Sequence, residues 1–350
     1  MSTVRLGVVG AGLVGQRHIE VIAACPTLEL AGIVEPGEAG APIAEQAGCR
    51  LYRSLESLLD DGHCDGVIIA TPNPLHVEQA LMCVDANTPI LVEKPIAVSS
   101  SEAEALVSKA DKAGVPILVG HHRRHNPLIR RAKEIITQGG IGDVRAVQGT
   151  CWFYKPDHYF EAAPWRKERG AGPISVNLVH DVDLFRHLVG EVVSVHAQAS
   201  ASVRGFANED VAAAVLQFDN GAVGTISVSD SIAAPWSWEH TSREYPIYPS
   251  TPENCYLIGG SDGSLSVPDL RLWRHENGPQ DWWKPISAIS QICERSDPLV
   301  NQLLHFAQVI HGHEPPLVSG SEGLKTLRVI EAIQSSAASG STEFLPQDSV

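Results

Sequence analysis

The segment Gly10-Ala11-Gly12-Leu13-Val14-Gly15 limits what this chain can fold into more than any other stretch, because it joins an apolar run (4–10) to a helical pattern (13–24). In that setting Gly10 permits a tight turn, Gly12 lets the backbone approach a pyrophosphate, and Gly15 lets the helix pack closely on the strand. A helix N-terminus adds unpaired N–H groups and the positive end of its dipole. Gly10, Gly12, Leu13, Val14 and Gly15 are therefore candidate dinucleotide-binding residues; the competing reading is a glycine-rich turn with no ligand.

What surrounds this turn repeats its grammar. Residues 28–35, 66–70, 90–93 and 116–120, with a shorter piece at 50–52, read as strands. Segments 38–47, 75–87 and 101–113 read as helices between them, the last opened by a capping box of Ser101 and Glu104. Strand and helix alternating in this way imply parallel βαβ units with right-handed crossovers, so residues 1–121 are expected to form a Rossmann domain with a doubly wound sheet. After Pro127 the pattern changes: 144–153, 192–201, 210–218 and 223–229 have strand composition, and Asp219-Asn220-Gly221 supplies hairpin chemistry between the last two. Residues 122–350 are expected to be an α+β substrate-binding and oligomerisation domain on a mostly antiparallel sheet, with a helix at 174–188, a long loop at 231–252 and helices at 298–311 and 322–335. A chain of 350 residues is long enough for two such cores and for a cleft between them.

The 26 Lys and Arg against 41 Asp and Glu leave a net charge of -15, which repels phosphate backbones and anionic membranes. The basic run from His121 to His125 then reads as a loop or pocket lining. Seven cysteines without a C-x-x-C pair do not form a disulfide framework and suit reduced thiols of a cytoplasmic protein. No signal peptide is evident, and no stretch reaches the roughly 18 to 20 apolar residues of a membrane span.

Glu35 closes the second strand about 20 residues past the glycines, where a carboxylate accepts from the ribose hydroxyls of NAD and repels a 2′-phosphate. Pro36-Gly37-Glu38 offers no Arg or Lys to hold that phosphate, so NAD is preferred over NADP. Thr71-Pro72-Asn73-Pro74 and Glu93-Lys94-Pro95 follow the fourth and fifth strands at the carboxyl edge, where open α/β sheets bind ligands. Lys94, held between a carboxylate and a proline, is a candidate acid, base or hydroxyl-orienting donor.

The ordered set Gly10 to Gly15, Thr71-Pro72-Asn73-Pro74-Leu75-His76, Glu93-Lys94-Pro95, Arg123-Arg124-His125-Asn126-Pro127, Gly170-Ala171-Gly172 and His180-Asp181-Val182-Asp183 resembles the Gfo/Idh/MocA oxidoreductase family. The resemblance implies that Lys94 and His180 lie beside the nicotinamide, that Thr71, Asn73, His76 and Glu93 line the cofactor site, that Arg124 faces the substrate, and that Lys94–Pro95 is a cis bond. Leu178, Val182, Phe185 and Val189 form a helical stripe, leaving His180 off the apolar face. Family members acting on sugars and inositols commonly carry an Asp four residues before this His; here that position is Val176, and Asn177 sits three before.

Tyr154, His158, Trp165 and Arg166 precede this helix and suit a cyclic polyol or a ring bearing a carboxylate, ordinary packing being the alternative. Trp282 and Trp283 read as packing, between subunits if not within one. The expected function is an NAD-dependent dehydrogenase oxidising a secondary hydroxyl of a sugar, inositol or related cyclic polyol. A carboxylated cyclic dihydrodiol is the second substrate class. A silent NAD-binding sensor and a non-redox use of transient oxidation are the rivals. A homodimer or homotetramer is expected, with a small molecule as partner and no metal.

Overall fold

Six parallel strands organise the first third of the computed structural model, which describes residues 3–276 and 279–346. The elements are β1 (Val4–Val9), α1 (Leu13–Ala24), β2 (Leu28–Val34), α2 (Gly40–Ala47), β3 (Leu51–Tyr52), α3 (Leu55–Asp60), β4 (Gly66–Ile69), α4 (His76–Asp85), β5 (Ile90–Val92), α5 (Ser100–Ala113) and β6 (Ile117–Val119). Val67, Ile68, Ile69, Ile90, Leu91 and Val92 are all fully buried, as strands covered by helices on both faces must be. Each such side chain contributes about 1.5–3 kcal/mol. In the strand order β3-β2-β1-β4-β5-β6 the direction of winding reverses between β1 and β4, which is where open sheets of this kind form a ligand crevice at the carboxyl ends.

α1 begins and ends where its pattern predicts, but α5 does not. Its cap is Ser99, whose Oγ accepts from the Glu102 N–H at 3.4 Å, in place of the expected Ser101 and Glu104 pair. With three serines in a row, the hydroxyl that meets the first turn is chosen by where β5 delivers the chain. The short helix α3, capped by Ser54, went unread because six residues carry too little period.

The second unit contains α6 (Pro127–Thr137), β7 (Val144–Trp152), α7 (Asp157–Glu161), α8 (Val179–Leu188), β8 (Val192–Ala201), β9 (Glu209–Phe218), β10 (Val223–Ser229), α9 (Trp238–Thr241), β11 (Tyr256–Gly260), β12 (Ser264–Val267), β13 (Arg271–Arg274) and β14 (Ser287–Ser290). These strands and β15 (Glu343–Phe344) form a nine-stranded sheet, β14-β13-β12-β11-β7-β10-β9-β8-β15. Only the β7/β10 pairing is parallel, so the sheet is mixed and mostly antiparallel. At the β9–β10 turn Gly221 alone takes a positive φ of 84°, while Asn220 works through its side chain, accepting from the Ala222 N–H at 3.0 Å. One face of the sheet carries the core, with Phe185 of α8 under Gly149; Val215, Val223 and Leu257 on the other face are exposed.

Two helices complete the chain, α10 (Pro298–Ile310) and α11 (Gly320–Ser339). Residues through His125 and Ser296–Leu327 form one compact unit; Asn126–Arg295 and the residues from Arg328 onward form the other. The two units change at 125/126, four residues after the expected boundary, and α10 with the start of α11 groups with the first unit, Leu303, Phe306 and Ala307 packing into its core. The expected loop at 231–252 is largely irregular, yet it contains α9 and buries Trp238 and Thr241. Trp282 and Trp283, expected to pack, are 89% and 84% exposed and meet only edge to face. None of the seven cysteines is joined in a disulfide. No helix among the described residues is long and apolar enough to cross a membrane.

Candidate active site

The glycine turn has the geometry its sequence demands. Gly10 has φ 91°, and its N–H donates to Val34 O at 2.9 Å. A Cβ on Gly15 would sit 1.9 Å from Gly10 O, so only glycine lets α1 start this close to β1. A Cβ on Gly12, the α1 N-cap, meets no described atom within 4 Å. No side chain caps α1 and no acidic residue occupies its first turn; Leu13 is 84% exposed and Val14 is exposed. An open helix N-terminus with uncapped N–H groups fits a pyrophosphate.

Glu35 is held in place before any ligand arrives. Its Oε2 accepts from the Ala11 N–H at 3.1 Å and its Oε1 from the Gly37 N–H at 3.0 Å, linking the glycine turn to the end of β2. A cation from outside Pro36-Gly37-Glu38 nonetheless reaches this loop. Arg53, just past β3, donates through Nη1 to Pro36 O at 3.1 Å and Gly37 O at 2.9 Å. Sheet order makes the contact, since β3 lies beside β2 although Arg53 is 18 residues from Glu35.

The loops after β4 and β5 are tied together by His76, which is buried. Its Nδ1 meets Pro95 O and its Nε2 meets Thr71 O, both at 2.9 Å. A neutral imidazole donates only one of these bonds at a time. Thr71 Oγ1 donates to Gln79 at 2.6 Å, and exposed Asn73 opens a 3₁₀ turn, Asn73–Leu75, ahead of α4. Lys94–Pro95 is cis. The Lys94 N–H donates to Glu93 Oε2 at 3.3 Å, while Glu93 Oε1 accepts from Nε2 of fully buried His18 at 2.8 Å.

Burial pushes the Glu93 carboxyl up, but the His18 hydrogen bond and the nearby His122 and Lys94 charges outweigh it and hold the group below its ordinary value. A folded-state value below the unfolded one means that this carboxylate stabilises the fold in full above about pH 4.3. That contribution is lost as pH falls through the lowered value. Glu93→Gln should therefore cost about 1.5–3 kcal/mol at neutral pH, the range of a hydrogen bond to a charged group. Urea midpoints measured from neutral to acid pH should fall less steeply for the variant than for the parent.

Arg124, expected to face a substrate, lies in the 3₁₀ segment His122–His125, buried and ion-paired with Glu322 at 3.0 Å. In the second unit, the expected helix at 174–188 starts as a π-helical turn, Ile174–Leu178, and continues as α8. α8 is buried all round: Asp181, Asp183 and Arg186 are as enclosed as Val182 and Phe185, and His180 is 9% exposed. The picture of a histidine on an open helix face is thus corrected. Tyr256 donates to Asp181, and Arg186 forms a fork with Glu191 at 2.9 and 2.8 Å.

Asn177 Oδ1 accepts from Lys155 Nζ at 2.7 Å, both residues being buried. Sequence reasoning missed Lys155, which reads as one more lysine beyond a strand. Its backbone is fixed by the Lys155 N–H donating to Asp230 O at 2.8 Å and by Arg204 donating to Lys155 O at 3.0 Å. Burial lowers the Lys155 pKa despite nearby Asp230, and burial raises that of Asp230 despite Lys155 and Arg204. Tyr154, His158 and Trp165 are exposed; Arg166 lies over the Tyr159 ring, 4.0 Å from its centroid, and donates to Tyr159 O at 2.6 Å. No group of His, Cys, Asp and Glu among the described residues could hold a metal ion.

Residues 4–121 match the family model described as an oxidoreductase family with an NAD-binding Rossmann fold, and residues 129–266 match the GFO/IDH/MocA C-terminal domain. UDP-N-acetylglucosamine 3-dehydrogenase of Acidithiobacillus ferrooxidans is 31% identical over 340 residues, covering 93% of this chain and 95% of that protein. Inositol 2-dehydrogenase 2 of Saccharopolyspora erythraea is 29% identical over 233 residues, covering 65% and 66%. The solved WlbA dehydrogenase from Bordetella pertussis, in complex with NADH and UDP-GlcNAcA, shares 27% identity at a TM-score of 0.79, covering 99% of this chain and all of that one. With its glycine turn, switch-point strand order and mixed second sheet in the same chain as these matches, the protein belongs to the GFO/IDH/MocA family of oxidoreductases.

Proposed function

We propose that the chain is an NAD-dependent dehydrogenase that oxidises a secondary hydroxyl of a sugar, inositol or related cyclic polyol. The observation that carries this reading is the pairing, on one sheet edge, of an open glycine turn backed by a pre-held Glu35 with Lys94 anchored through Glu93. Bound NAD supplies the hydride acceptor. Gly10, Gly12, Leu13, Val14 and Gly15 bind its pyrophosphate, Glu35 its adenosine ribose, and Thr71, Asn73 and Lys94 its nicotinamide end. Glu93 and His76 act as positioning residues, one fixing Lys94 and the other spacing the two loops.

Lys94 takes or orients the hydroxyl proton, with His180 as a second proton carrier and Asn177 as a polar neighbour on the same helix. Tyr154, Trp165 and Arg166 supply substrate contacts. Four places before His180 stands Val176 and no carboxylate, and the work such a side chain would do falls to uncharged or basic groups. The exposed sheet face around Val215, Val223 and Leu257 is the surface we assign to a second copy in a homodimer or homotetramer. Relatives named for dehydrogenating inositol and a sugar nucleotide support the substrate class.

Incubation with NAD and a panel of sugars, inositols and their acids tests the reading through NADH absorbance. Reduction with at least one member is expected, and none across the panel overturns it. Cofactor choice is tested separately. The Glu35 carboxylate should make NAD better than NADP by at least about tenfold in kcat/KM, near 1.4 kcal/mol. Glu35→Ala removes this carboxylate while Arg53 stays on the loop and should erase most of this preference. An unchanged ratio would mean that Glu35 does not face the ribose.

A further inference from the structure

Lys155 is 5% exposed, yet among the described residues its amine makes one hydrogen bond, to Asn177, and no ion pair. A buried ammonium normally recovers its desolvation cost from a carboxylate. Asp230, whose charge acts on Lys155, is bound to Arg204 instead: its Oδ1 pairs with Arg204 Nη1 at 2.8 Å and its carbonyl accepts from Arg204 Nη2 at 2.9 Å. Lys155 instead lies 5.0 Å from the centroid of the Tyr159 ring. Arg166 lies over the same ring, without an ion pair among the described residues and with its Nε buried and unbonded there.

Two cations thus share one aromatic ring, each raising the cost of charging the other, and neither makes an ion pair among the described residues. The row runs from the interior outward, from Lys155 through Tyr159 and Arg166 to Trp165, whose exposed ring is 5.7 Å from the guanidinium. Asn177, bonded to the inner amine, precedes His180 by three residues.

We propose that Lys155 and Arg166 form a carboxylate-recognition site, so that the preferred substrate is a hydroxylated ring or chain bearing a carboxylic acid. This rests on the reading of the chain as a dehydrogenase of hydroxylated small molecules and names the substrate class within it. A carboxylate accepts charge-assisted hydrogen bonds from a guanidinium or an ammonium, and the second cation adds to the positive potential it meets. A monoanion suits the site better than a dianion, because Asp230 and Glu239 already act on the Lys155 charge. Lys155 is a specificity residue here, while proton transfer stays with Lys94 and His180.

The test is calorimetric titration of the NADH-loaded protein with matched pairs, D-glucuronate against D-glucose and D-galacturonate against D-galactose, with D-glucose 6-phosphate as a dianion. At least one acid should bind about tenfold or more tighter than its neutral partner, as expected for hydrogen bonds between charged groups. In Lys155→Met, a near-isosteric swap suited to a buried site, that ratio should fall below about threefold with NADH binding unchanged. Arg166→Gln, at a less buried position, should lower the ratio too and serves if the methionine variant does not fold. Equal binding of acid and neutral forms, an unchanged ratio in the folded variants, tighter binding of the phosphate, or no binding of either acid would overturn the proposal. NADH formation from neutral polyols alone would sink this inference and leave the dehydrogenase reading standing. Selective acid binding without NADH formation from any panel member would do the reverse.

Discussion

Lys94→Ala should lower kcat by about a thousandfold, inside the 10²–10⁴ range that a positioned acid or base supplies. NADH affinity, read by fluorescence titration, should change by less than about threefold, because general acid–base work is separable from ground-state binding. The fold around the residue explains why the loss is confined to chemistry. The Lys94 backbone is anchored by Glu93, Glu93 by His18 on α1, and Pro95 O by His76, none of which needs the amine. A parallel collapse of NADH binding would instead give Lys94 a structural role.

The second large effect separates two glycines three residues apart. In Gly15→Ala the new methyl would lie 1.9 Å from Gly10 O, a backbone atom with nowhere to go. β1 and α1 would have to part, at a cost of about 3 kcal/mol, the upper part of the overpacking range. Nucleotide binding should fail along with the melting temperature. In Gly12→Ala the methyl meets open space, so the melting temperature should hold within a degree or two while NADH affinity drops by at least about tenfold, near 1.4 kcal/mol. Thermal melts and fluorescence titration of both variants check this, and a Gly12 variant that binds normally would place the pyrophosphate elsewhere.

Much of the nucleotide half was legible because its signals are local. The glycine spacing, the strand-to-helix switch at Leu13 and the carboxylate at Glu35 are set within one βαβ unit, and α1 emerged with the limits its pattern implied. What escaped depends on residues far apart in sequence. Arg53 reaches the Glu35 loop only because β3 is laid beside β2, and Lys155 becomes a buried amine only when β7, β10 and the segment from Ile174 converge on it. β11 to β14 are short and interrupted by Gly and Pro, so their alternation was too brief to stand out. His180 misled in a different way. Helical periodicity assumes that polar residues face water, and α8 buries its polar residues against matched partners instead.

The wide turn at Ile174–Leu178 bears on how this chain is to be aligned with its relatives. One surplus residue in a helix rotates everything upstream by about 100° about the axis relative to everything downstream. Counting four places back from an imidazole therefore names a different azimuth here than in a regular helix, and the aliphatic group at Val176 is not simply a carboxylate deleted in place. Asn177 takes the inward bearing and meets the amine of Lys155 there. Deleting one residue from this turn would restore a regular spiral and swing that amide off the Lys155 amine, without changing either side chain.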